Sequence, residues 1–342
     1  MTKKILITGT HLTPAIELIN QLKEDNIDWD IIYIGRNFNS HEKTSVSTES
    51  LAIPKLGVKF YGFDSGKLDR RWLPNTIAGI PLTIKSLFQI YKLIQKIKPD
   101  VVVSFGGYIS VPVIFNAYLQ KIPSITHEQT STLSLSTKIN SKFSNIVALS
   151  FPTNIKNNKF IVTGNLIRNQ VFNSKSTFFD KLIIKKPIIY ITGGNQGSMV
   201  LNKIITKILP TLTKNFFIIH QSGNQNLSPS INYLPINYID DIGWVLNHAN
   251  LIISRAGANT CQEIIALNKK AILIPLKISQ QNEQDINAEL VKQSLPQTII
   301  IPEIKLTSST LIKSINKLAK IKTKTITKPN TNYSLLKLIK TL

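Results

Sequence analysis

Leu251-Ile252-Ile253-Ser254-Arg255-Ala256-Gly257-Ala258-Asn259-Thr260-Cys261-Gln262-Glu263 runs from an apolar, strand-like segment through a small-residue turn into a helical pattern over residues 261–267. N–H groups at the start of a helix lack intrahelical partners and sit at the positive end of its dipole, so such a turn can cradle a phosphate. Glu263 stands one helical turn further on. A carboxylate there can accept hydrogen bonds from two ribose hydroxyls, as acidic residues do in dinucleotide sites. Gly193-Gly194-Asn195-Gln196-Gly197-Ser198 has the same setting, with an apolar run before it and a helical pattern after it. A nucleoside diphosphate needs both the N–H groups and the carboxylate, and this combination points to an enzyme of nucleotide sugars.

Strand-like runs at 5–8, 29–34 and 101–104 and a helical pattern at 14–24 form a βαβ grammar. It restarts with strands at 188–192, 216–221, 251–254 and 271–275 and helices at 202–212 and 261–267. Continuous apolar strands alternating with helices predict parallel sheets covered on both faces. Each half also has a second glycine turn, Ser104-Phe105-Gly106-Gly107 and Ser254-Arg255-Ala256-Gly257. The fold class expected is α/β, two Rossmann-like domains whose parallel sheets face a cleft. The junction falls near Thr163-Gly164-Asn165-Leu166, giving domains at 1–165 and 166–325 and a C-terminal helical segment at 326–342.

The chain has 342 residues, 42% of them hydrophobic, enough for about two domains with real cores and against general disorder. No apolar stretch approaches the roughly 20 residues a membrane-crossing helix needs. The apolar run at 5–7 ends in Thr8-Gly9-Thr10-His11 without a cleavage-type site, so it reads as a first strand rather than a signal peptide. The single Cys261 suits a reducing compartment, and the expected location is the cytoplasm. A net charge of +22 attracts anionic partners, although some of it follows a general richness in Lys, Ile and Asn. Residues 67–98 interleave Lys67, Arg70, Arg71, Lys85, Lys92, Lys96 and Lys98 with Trp72, Leu87, Phe88 and Tyr91. That pattern fits a surface lying on anionic lipid, or an ordinary Lys-rich helix packed on its domain.

His11 follows the first strand, where open α/β sheets bind ligands, and its ordinary pKa suits it to accept a hydroxyl proton. A histidine in a turn also serves as a structural hydrogen-bonding group. The first turn does not spell Gly-x-Gly-x-x-Gly, and the second strand ends in Gly35-Arg36 rather than an acid, which disfavours a nicotinamide dehydrogenase. Asp28-Trp29-Asp30 has a metal-binding form but sits in a polar turn before a strand, and no His and Cys set has zinc spacing. No cofactor or metal is expected.

Taken together, Pro99-Asp100-Val101-Val102-Val103 with Phe105-Gly106-Gly107-Tyr108, His127-Glu128-Gln129, Thr163-Gly164-Asn165 with Arg168, Gly193-Gly194 with Gln196-Gly197, Ile239-Asp240-Asp241, the 254–263 stretch, and Gln284 with Asn287-Ala288 resemble the MurG family. These are UDP-N-acetylglucosamine:lipid I N-acetylglucosaminyltransferases of peptidoglycan synthesis with the GT-B fold. The resemblance runs nearly end to end. It implies that UDP-N-acetylglucosamine binds the second domain, with Ile239 near uracil, Glu263 on ribose, Ala258, Asn259 and Thr260 near the pyrophosphate, and Gln284 and Asn287 on the sugar. Arg168 and Asn195 match further nucleotide contacts, and the turn positions Gly194, Gln196, Gly197, Arg255 and Gly257 join the same site. Lipid I is expected on the first domain, at Thr8, Gly9, Thr10, Gly106, Gly107, Tyr108 and Thr130. The implied reaction is inverting and metal-independent and yields lipid II on the inner face of the cell membrane, with His11 as base and Glu128 as second choice. The chain departs from the family in a first turn poorer in glycine, in Thr130 where Asn is usual, and in Asn195 where Ser is usual. Rival readings are another GT-B transferase acting on a membrane glycolipid, a divergent homologue of low activity, and a UDP-sugar epimerase. A nucleic-acid binder is not expected, because most aromatics fall in strand or helix patterns instead of a stacking surface.

Overall fold

A computed structural model of the chain describes residues 2–38, 46–63, 73–130, 132–194, 197–223, 225, 227–276, 282–321 and 334–342, with the side chains of 73–83 and of Ser334 outside the description. Its contacts divide it into two units, Met1–Leu166 with Asn330–Leu342, and Ile167–Pro329.

In the first unit the chain runs β1 (Lys3–Gly9), α1 (Leu12–Lys23), β2 (Trp29–Arg36), α2 (Thr48–Lys55), β3 (Lys59–Phe63), α3 (Leu73–Ile97), β4 (Val101–Phe105), α4 (Ser110–Leu119), β5 (Ser124–Glu128), α5 (Leu135–Asn140), β6 (Ile146–Leu149) and β7 (Phe160–Val162). Successive residues of a strand face opposite sides, so a run with no polar alternation must be covered twice. Ile5 and Ile7 accordingly enter a core with Leu18 and Leu22 of α1, while Leu6 between them packs with Ile90 and Ile94 of α3 and Val113 of α4. The sheet is parallel, in the order β3-β2-β1-β4-β5-β6-β7.

The second unit contains β8 (Ile188–Thr192), α6 (Met199–Leu212), β9 (Phe217–Gln221), β10 (Tyr233–Ile236), α7 (Ile242–His248), β11 (Ala249–Ser254), α8 (Ala258–Ala266), β12 (Ala271–Leu273), α9 (Glu283–Ser294), β13 (Thr298–Ile300) and α10 (Ser308–Ala319). Its parallel sheet has the order β10-β9-β8-β11-β12-β13 and a separate core on each face. The last helix, α11 (Ser334–Ile339), belongs to the first unit: Leu335, Leu336 and Ile339 pack into the core that α1 lines, and Lys340 pairs with Asp25.

In each sheet the order reverses once, between β1 and β4 and between β8 and β11. Open α/β sheets bind ligands at the carboxyl ends of strands at such a switch point. The register sets Gly9 beside Phe105 and Ser254 beside Thr192, so the turns that follow these strand pairs emerge side by side.

Part of the positive charge is taken up inside the fold. Lys4, Lys186 and Lys270 donate to carbonyls at or just beyond the C-terminal ends of α3, α6 and α10, where the helix dipole is negative.

Candidate active site

In the second unit α8 begins at Ala258, three residues before the apolar periodicity becomes visible at Cys261. Gly257 caps it and has no side chain to offer the first-turn N–H groups. A Cβ at Gly257 would meet no described residue within 4 Å, and the same holds at Gly194 on the neighbouring turn, where φ is +87°. The other two glycines of that turn are structural, since a Cβ would lie 2.3 Å from Ser198 N at Gly193 and 2.4 Å from the Ser222 carbonyl at Gly197. Open space therefore fronts two adjacent turns whose backbone can approach an anion. Asn195 and Gln196 lie outside the described residues.

Glu263 is 6% exposed, and its Oε1 accepts from Arg168 Nε at 3.1 Å and Nη2 at 2.6 Å. Burial pushes the Glu263 carboxyl up, and Arg168 opposes that shift only in part. A cavity of about 380 Å³ opens beside Arg168, lined also by Tyr238, Asp240, Asp241, Gly243 and Trp244. The Ile239 side chain is buried in the core below, so only its backbone can face a ligand. Asn287 is fully buried; its Nδ2 donates to the Ala256 carbonyl at 3.2 Å and its Oδ1 has no partner among the described residues. Gln284 Oε1 accepts from Leu276 N at 2.9 Å. Both therefore brace the strand ends around the turn. Arg255 is 8% exposed and bonded within the unit, to Ser198, to the Ile274 carbonyl and to Glu303.

In the first unit the two turns close on each other. Thr10 N donates to the Gly106 carbonyl at 3.1 Å. A Cβ at Gly9 would lie 2.7 Å from the Phe105 carbonyl carbon, and one at Gly107 only 2.2 Å from Thr10 Oγ1. His11 caps α1 without a side-chain cap bond and is exposed, its Cδ2 3.5 Å from where a Gly106 Cβ would stand. Although the residue keeps surface open to solvent, the protein atoms crowded around its ring lower its pKa; Glu128 opposes that shift and Arg36 adds to it. Neutral imidazole is therefore favoured, the form that accepts a proton.

Glu128 accepts from Thr130 N at 3.1 Å, Thr130 Oγ1 at 2.8 Å and Ser134 N at 2.8 Å. Burial alone would raise its carboxyl, but the bonds from Ser134, Thr137 and Thr130 outweigh it and hold the pKa below the ordinary value. Its carboxylate organises the loop after β5 and is a weak proton acceptor. The half-buried Thr130 places its hydroxyl between Glu128 and the Thr132 carbonyl, and the Thr8 hydroxyl is wholly buried. Tyr108 bonds Arg36, which Glu49 grips through both oxygens at 2.6 and 3.1 Å. In the sequence Arg36 is only a non-acidic strand end; its partner Glu49, thirteen residues on in the first turn of α2, carries no local signal.

Residues 6–149 match the glycosyltransferase family 28 N-terminal domain and residues 188–341 the glycosyltransferase family 28 C-terminal domain. A UDP-N-acetylglucosamine–N-acetylmuramyl-(pentapeptide) pyrophosphoryl-undecaprenol N-acetylglucosamine transferase of Clostridium tetani is 32% identical over 332 residues, 92% of this chain and 90% of its own. The protein of the same name from Clostridium novyi is 34% identical over 346 residues, 96% of this chain and 94% of its own. Among solved structures, Acinetobacter baumannii MurG superposes with a TM-score of 0.71 at 21% identity, covering 99% of this chain and 100% of that one, and so shares its two-domain GT-B fold. Matched along both halves and related at this level over nine-tenths of its length, the chain belongs to glycosyltransferase family 28, in the MurG group.

Proposed function

We propose that the chain transfers N-acetylglucosamine from UDP-N-acetylglucosamine to the 4-hydroxyl of the muramyl sugar of lipid I, forming lipid II. The observation that carries the donor half is the open turn at Gly257, with the first-turn N–H groups of α8 ahead of it and Glu263 one turn along. In this reading the diphosphate takes the N–H groups of Ala258, Asn259 and Thr260, and Glu263, steadied by Arg168, takes the ribose. Charge grows on the departing UDP, and pre-aimed N–H donors hold that charge more strongly in the transition state than in the ground state. No metal is needed for this step. His11 accepts the proton of the attacking hydroxyl as it displaces UDP from the anomeric carbon with inversion, and Glu128 orders the loop beside it.

No helix among the described residues is long and apolar enough to cross a membrane. The acceptor is a lipid, and α3 exposes Ile84 and Phe88, one turn apart, next to exposed Lys85 and Lys92. Lys96 and Lys98 are exposed at the end of the same helix, while residues 64–72, with Lys67, Arg70 and Arg71, lie outside the described residues. An amphipathic face of this kind suits peripheral binding to the anionic inner face of the cell membrane. Co-sedimentation with vesicles should rise with anionic lipid content, and equal recovery with neutral vesicles would remove the electrostatic part of the reading.

The deciding experiment supplies labelled UDP-N-acetylglucosamine and lipid I, with and without chelator. Label in lipid II under both conditions is expected. Label that stays in UDP-sugar as an epimer, or reaches only another glycolipid, would overturn the assignment.

A further inference from the structure

Arg255 joins three parts of the second unit. Its Nη2 donates to Ser198 Oγ at 2.9 Å, its Nη1 donates to the Ile274 carbonyl at 3.3 Å, and it is ion-paired with Glu303. Its own backbone N–H reaches the Thr192 carbonyl of β8 at 3.4 Å. Ser198 caps α6, and its Oγ also accepts from Leu201 N at 3.4 Å. A hydroxyl that accepts twice keeps its proton free to donate. Ser198 N in turn lies 2.3 Å from where a Gly193 Cβ would stand, so the residue is seated directly on the glycine turn after β8.

We infer that Arg255 is a positioning residue for the donor diphosphate, acting through Ser198: it holds the start of α6 against the turn after β11, so that Ser198 Oγ and the first-turn N–H groups of α8 converge on one phosphate group. The inference rests on the donor reading above. A planar guanidinium can bond a hydroxyl, a carbonyl and a carboxylate in one fixed plane, and an ammonium cannot. Donors fixed before the ligand arrives lose little freedom on binding, which is where the gain in affinity comes from.

The test measures UDP and uridine binding by calorimetry for the wild type, Arg255→Lys, Ser198→Ala and the double variant. Each single substitution is expected to weaken UDP by about tenfold, the size of a lost charge-assisted hydrogen bond. Uridine, which lacks the diphosphate, should bind all four proteins alike and so reports an intact fold. The double variant should be no weaker than Arg255→Lys, since both changes break one linkage. Unchanged UDP affinity in Ser198→Ala, or losses that multiply in the double variant, would overturn the linkage while leaving the donor reading in place. A wild type that fails to bind UDP would overturn both.

Discussion

At the β1/β4 switch point Thr10 stands against Gly107 and Phe105 against Gly9, whereas at the β8/β11 switch point, where Gly193 and Gly197 are packed as tightly, Gly194 and Gly257 meet no described residue within 4 Å. The two regions share a sequence grammar of strand, glycine turn and helix. In the first unit glycine lets two turns pack on each other and present a histidine. In the second it keeps side chains away from N–H groups that an anion can reach. A glycine turn is therefore a statement about close approach, and only the neighbours tell whether the approaching group is protein or ligand.

His11→Ala carries the largest expected effect on this contrast, a fall in turnover of about 10²-fold to 10⁴-fold, the usual range for a general base, with UDP affinity unchanged. Because His11 sits below the ordinary 6.5, it stays neutral to lower pH, and the acid limb of kcat/KM should have its midpoint below 6.5. Wild-type turnover in the variant would move the base elsewhere. Gly107→Ala should follow, since φ is +79° and the added Cβ would lie 2.2 Å from Thr10 Oγ1; a loss of about 2 to 4 kcal/mol in denaturant unfolding is expected from overpacking and the left-handed backbone. Glu263→Ala should weaken UDP-N-acetylglucosamine binding by about 1 to 3 kcal/mol in calorimetry, the range for lost hydrogen bonds to a charged group. An unchanged affinity would detach Glu263 from the donor. Gly257→Ala should move stability by less than about 0.5 kcal/mol, as surface changes do, yet weaken UDP binding by about 1 kcal/mol because the methyl enters the ligand's space. If alanine at 257 destabilised the fold as much as alanine at 107, the distinction between the two regions would disappear.

Much of the architecture was legible because apolar strands without polar alternation leave a buried parallel sheet as the economical solution. Helix starts were less legible. Ala258, Asn259 and Thr260 have no apolar periodicity, and α8 extends over them because Gly257 provides the cap. The candidate site residues divided along the same line. The glycine turns and Glu263 could be found from local spacing, but the partner of Glu263 is Arg168, 95 positions away, and Arg255 pairs with Glu303 from beyond β13. Thr8 and Thr130 matched a family pattern, yet their hydroxyls turn into the fold or the β5 loop. A sequence pattern carries residue type and backbone position but not the direction of a side chain.

Hydrophobic period and short-range spacing encode the two α/β units, the places of the glycine turns and family membership, so these were readable from the chain alone. The tertiary structure alone decided which strands meet at each switch point, which glycines face protein and which face open space, and how burial and distant charges set His11, Glu128 and Glu263 apart. The reason is physical: packing, desolvation and ion pairing depend on residues brought together through space, and chain order does not contain those distances until the sheet order is fixed.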